Sequence, residues 1–94
     1  MASTKDYLNY ILEQASSINL TFKKMMGEYL LYLNGTLIGG IYDDRLLVKV
    51  VENNKKYNMK EAIPYPNAKM MYLVSEVDSK ETLVNILKDT YEGL

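Results

Sequence analysis

Carboxylates, lysines and tyrosines carry whatever acid–base or ligand chemistry this chain can offer, because its 94 residues include no histidine and no cysteine. That inventory excludes the usual zinc sites, the Ser-His-Asp and Cys-His arrangements, disulfides and thiolate chemistry. The densest set is Glu28, Asp43, Asp44 and Arg45. Asp43-Asp44 could hold a hard cation, or act with Glu28 as an acid–base pair, in a small-molecule or cation-binding domain or enzyme. Two physical facts weigh against that use. Adjacent strand residues point to opposite faces, and aspartate is a standard turn residue. A structural turn is therefore expected at Asp43-Asp44, with Arg45 pairing to an aspartate at the surface for about 0–1 kcal/mol. The stretch GTLIGG, residues 35–40, matches neither a phosphate loop nor a dinucleotide fingerprint, since it continues a hairpin rather than opening a helix. No catalytic residue, cofactor site or metal site is assigned.

Tyrosine stands out in the composition, with nine against one phenylalanine and no tryptophan. Its ring can be buried while its hydroxyl stays wet, which suits half-exposed sheet faces and interfaces. Tyr29 with Tyr42, and Tyr32 with Tyr72, are expected to be cross-strand or inter-element neighbours. An aromatic sheet could stack nucleic-acid bases, but that mode also needs a basic groove. The net charge is −1, and Lys23-Lys24 and Lys55-Lys56-Lys60 are small basic spots offset by nearby acids. Direct nucleic-acid binding is accordingly expected to be weak, with a shallow salt dependence. Met25-Met26 and Met70-Met71 are pliable apolar pairs, each with one residue inward and one outward. The expected interaction surface is Lys23, Lys24, Met26, Tyr29, Tyr32, Tyr42 and Tyr72.

The elements that must position these residues follow from periodicity. Tyr7, Leu8, Ile11, Leu12 and Ala15 recur at helical spacing, predicting a helix over about 4–16 with Ser3 as its cap and Asp6 reaching back. Residues 20–26 and 28–33 alternate as strands, with Gly27 at a bend or bulge between them. Asn34-Gly35 is the strongest hairpin signal, because both central residues of a type I′ turn need φ > 0. Residues 36–42 and 45–51 complete a four-strand antiparallel meander. Gly39-Gly40, inside a strand, implies close packing or strong twist. Residues 52–67 are polar, carry both prolines and suggest a short helix around 53–59. A fifth strand is predicted over 69–76. A second helix runs to about residue 92, with Asp78 as its N-cap and Glu81 at the third position. Two terminal helices with apolar stripes need a sheet face to cover. The fold expected is therefore a single two-layer α+β domain over 1–94, with a mainly antiparallel sheet of about five strands.

The words KKMMGEYLLYLNGTLIGGIYDDRLLVKV and PYPNAKMMYLV together resemble the N-terminal domain of the TfoX/Sxy family. The resemblance rests on Lys23, Lys24, Met25, Gly27, Glu28 and Tyr29, then Asn34-Gly35, then Asp43, Asp44, Arg45 and Leu46, then Pro64, Tyr65, Pro66, Ala68 and Lys69. Met26 stands where an aromatic is common, and Asn67 replaces a usual glycine. The chain also ends without the second, helical domain of the family's competence regulators. The resemblance implies a secretion-chaperone-like α+β fold, in proteins tied to transcriptional control of DNA uptake, and supplies no catalytic residues to carry over. The expected function is a non-enzymatic regulatory or adaptor module that contacts proteins, such as transcription machinery or a regulator, through a sheet face or edge. No secretory signal pattern or bilayer-length apolar run is present, so the expected place is the cytoplasm. Open sheet edges suit a homodimer.

Overall fold

Three two-residue turns set the architecture of the chain, which a computed structural model describes over residues 3–94. Strands β1 (Leu20–Met25), β2 (Glu28–Leu33), β3 (Thr36–Tyr42) and β4 (Arg45–Val48) follow one another directly. Their connections, Met26-Gly27, Asn34-Gly35 and Asp43-Asp44, all have φ between 50° and 84°. Positive φ at both central residues is what a type I′ turn requires, and its twist matches that of the strands it joins. Gly27 thus belongs to a tight hairpin turn rather than a bend or bulge, with Met25 paired to Glu28 across it.

The sheet has six strands in the order β1-β2-β3-β4-β6-β5, where β5 is Lys60–Ala62 and β6 is Met71–Leu73. All pairings are antiparallel. The sixth strand comes from the polar excursion. Its KEA sequence lies at the sheet edge, largely exposed, where no apolar alternation is needed. β6 is shorter than the predicted 69–76, and a short 3-10 helix, Glu52–Tyr57, fills the start of the excursion.

Helices α1 (Lys5–Gln14) and α2 (Lys80–Glu92) cover one face of the sheet. Leu8, Ile11, Leu83, Ile86 and Leu87 meet Tyr29, Leu31, Leu33, Ile38, Ile41, Leu46 and Val48 there. Each fully buried Leu or Ile contributes about 1.5–3 kcal/mol, so this layer holds most of the stability. Ile38 and Ile41 are three apart, and strand alternation alone would send them to opposite faces. A register shift resolves this: Leu31 pairs with Gly39 and Tyr32 with Leu37, leaving Ile38 as the extra residue. Gly39 is glycine because a Cβ there would lie 2.2 Å from the Leu47 carbonyl oxygen.

Both helix caps differ from the sequence expectation by one residue. Thr4, not Ser3, caps α1 and accepts from the Tyr7 N–H at 3.2 Å. Ser79, not Asp78, caps α2 and accepts from the Thr82 N–H at 3.4 Å. The displaced residues are used elsewhere: Ser3 binds the β3–β4 turn, and Asp78 accepts from the Tyr10 hydroxyl. Among the described residues, no helix is long and apolar enough to cross a membrane.

Candidate functional site

Glu28, Asp43 and Asp44 do come together, and backbone donors occupy the carboxylates of Glu28 and Asp44. Glu28 Oε1 accepts from the Ser3 N–H at 3.0 Å and from the Ser3 hydroxyl. The Asp43 N–H points at the same carboxylate, 3.2 and 3.3 Å from its two oxygens. Asp44 Oδ1 accepts from the Thr4 N–H at 2.7 Å and from the Thr4 hydroxyl at 3.2 Å, while the Asp44 N–H donates to Ser3 Oγ at 3.0 Å. The set works as a clasp fastening the start of α1 to the β3–β4 turn. Arg45 does not pair with an aspartate. Its guanidinium donates to the Tyr42 and Ile63 carbonyls, each at 3.2 Å, and so ties β4 to the proline segment. Among the described residues no three carboxylates gather closely enough to hold a metal ion.

The sheet divides the tyrosines. Tyr29 faces the helices, 7% exposed, and meets Phe22 edge to face at 5.8 Å. Tyr72 packs on the same layer. Tyr42 lies on the other face, 6% exposed, with the Tyr65 ring 6.2 Å away. Tyr32, an odd number of residues from Tyr29 on β2, also points away from the helices. Neither expected pair forms, since the partners stand on opposite sides of the sheet. Tyr29 and Tyr42 are also too buried to serve as exposed contacts. Burial, with Tyr65 next in weight, pushes the Tyr42 phenol above its ordinary range and keeps it a protonated donor.

Three of the expected surface residues sit on one exposed hairpin, with Lys23 and Lys24 on opposite faces of its first strand. Lys23, Lys24 and Met26 share the β1–β2 hairpin, where β1 is exposed at five of its six positions. Met26 is 96% exposed at the turn, with Phe22 (45%) and Met25 (40%) beside it. β1 is also a sheet edge. A two-residue turn makes Met25 and Glu28 a doubly hydrogen-bonded pair, so Lys23–Leu30 and Thr21–Tyr32 are bonded in the same way. The N–H and C=O of Phe22 and Lys24 consequently point outward, to the open edge. Lys55 and Lys56, by contrast, are held at 3.1 Å by Glu52 and Asp89 respectively.

The sequence reading missed two anchoring clusters. Asn54 is fully buried; its amide donates to the Lys49 carbonyl at 2.8 Å and to Thr90 Oγ1 at 2.9 Å, and its oxygen accepts from the Val51 N–H at 3.2 Å. Tyr57 donates to Asp89, and burial together with that bond pushes its phenol up to about 12. A polar Asn in a polar segment carries no sequence signal that it will be buried.

Fold and geometry together define a small α+β domain with one helix-covered sheet face and one open, partly apolar, basic edge. No family model matches the chain. A Spirochaeta aurantia protein described as an uncharacterized 12.7 kDa protein in the trpE 5′ region is 29% identical over 80 residues, covering 82% of this chain and 70% of that protein.

Proposed function

We propose that the chain is a non-enzymatic regulatory or adaptor domain that binds a protein partner along the β1 edge. The observation that carries this reading is the β1–β2 hairpin. It offers unpaired backbone groups at Phe22 and Lys24, with exposed apolar side chains and two lysines alongside. An extended segment of a partner can add there as a further strand, with main-chain bonds giving affinity and side chains giving selectivity. The lysines favour a partner strand bearing carboxylates. They also disfavour self-pairing, because two β1 strands side by side would bring four lysines into one ladder. The engagement of the Glu28 and Asp44 carboxylates by backbone donors, with the Asp43 N–H among those on Glu28, supports a structural rather than catalytic use of those two carboxylates. The resemblance to TfoX/Sxy N-terminal domains adds the expectation that the partner belongs to transcriptional control, in the cytoplasm.

The test is native capture from lysate with and without nuclease treatment, with the wild-type chain and a Lys23→Glu/Lys24→Glu variant side by side. A partner recovered by the first and lost by the second, at unchanged melting temperature, supports the reading. A partner held equally by both contradicts the edge. Capture that disappears with nuclease treatment and falls steeply with salt points to nucleic acid instead.

A further inference from the structure

The sheet face away from the helices holds a cavity of about 460 Å³ that the edge contact does not use. Tyr42, Tyr65, Met70 and Met71 contribute its apolar wall, beneath the segment that begins at Pro64. Its volume falls in the range of about 300–1,000 Å³ typical of small-molecule sites, which pair such walls with a few placed polar groups. Here those groups include Lys49 and Lys69; no aspartate or glutamate side chain lines the cavity, and Leu94, the last residue of the sequence, lines it as well. Among the described residues neither lysine makes an ion pair. Two lysine ammonium groups beside an apolar wall suit an amphiphile with an anionic end, which gains charge-assisted bonds there.

We propose that this cavity binds a small apolar carboxylic acid, with its aromatic or alkyl body between the tyrosines and methionines and its carboxylate against Lys49 and Lys69. The wall suits either body: methionine side chains adapt to irregular shapes, and tyrosine rings take flat or flexible apolar groups. The proposal stands independently of the edge contact, because the two sites use different residues.

The experiment titrates the purified chain, carrying isotope-labelled methionine methyls, with phenylacetate and octanoate and with their neutral counterparts phenylacetamide and octanamide. The expected result is saturable movement of the Met70 and Met71 signals by at least one acid. The dissociation constant should be on the order of 1 mM for a compound of about ten non-hydrogen atoms. The matching amide should bind about tenfold more weakly, since only the acid gains charge-assisted bonds. A Lys49→Gln/Lys69→Gln variant should bring acid and amide to equal affinity. Phenylacetate against octanoate identifies the preferred body. No saturable movement with either acid, equal affinity of acid and amide for the wild-type chain, or movement confined to Met25 and Met26 would each overturn the proposal.

Discussion

At the scale of single residues, two glycines in one hairpin separate backbone conformation from space. Gly35 has φ +83° with nothing within 4 Å of a would-be Cβ, whereas Gly39 meets the Leu47 carbonyl oxygen at 2.2 Å. Gly35→Ala should therefore cost about 1 kcal/mol, for the left-handed conformation alone. Gly39→Ala should cost about 3 kcal/mol, because the clash is with backbone that cannot rotate away. Urea denaturation of both variants checks the order, and equal costs would contradict it. Glu28→Ala should lose about 1–2 kcal/mol, since the Ser3 and Asp43 N–H groups lose their carboxylate acceptor. The turn residues Asn34, Gly35, Asp43 and Asp44 were legible in the sequence because left-handed backbone restricts composition locally. Which residue caps a helix was not. Ser3 and Asp78 satisfy local capping rules, but each finds a partner distant in sequence, Asp44 for one and Tyr10 for the other.

At the scale of elements, the 3-10 helix and α2 are joined by two polar anchors with different signatures. Asn54→Ala would strip partners from the Lys49 carbonyl and the Val51 N–H at a fully buried site, and should cost about 2–4 kcal/mol in urea denaturation. The Tyr57–Asp89 bond should appear in the pH dependence instead. Tyr57 titrates at about 12 in the folded chain against an ordinary 10.0. Its contribution is therefore fully present below pH 10.0 and lost as pH rises through about 12. Asp89 is shifted the other way, downward, chiefly by the bond from Tyr57. Its contribution is present above its ordinary value of 3.8 and lost as pH falls through the depressed one. Tyr57→Phe should flatten the alkaline limb of the stability profile relative to wild type; identical limbs would contradict this coupling. Strand β2 was readable from alternation because one of its faces is buried, whereas β3 and β4, buried on both faces, were readable as apolar runs bounded by the Asn34-Gly35 and Asp43-Asp44 turns. β5 was not, since an exposed edge strand of KEA has no face to bury.

At the scale of the whole molecule, the sheet puts distinct chemistry in distinct places: core under the helices, an apolar cavity on the opposite face, and an open basic edge at β1. The two-layer α+β fold followed from helical periodicity at the ends and strand periodicity between them. The tyrosine pairs did not, because one-residue parity on a strand decides the face, and Tyr29 and Tyr42 fall on opposite sides. The most direct measurement of the edge contact is amide hydrogen exchange at Phe22 and Lys24, in the free chain and with the captured partner bound. Rapid exchange at both positions in the free chain, slowed about tenfold or more by the partner, is the predicted result. A bound partner that leaves those two amides unprotected would contradict edge-strand recognition.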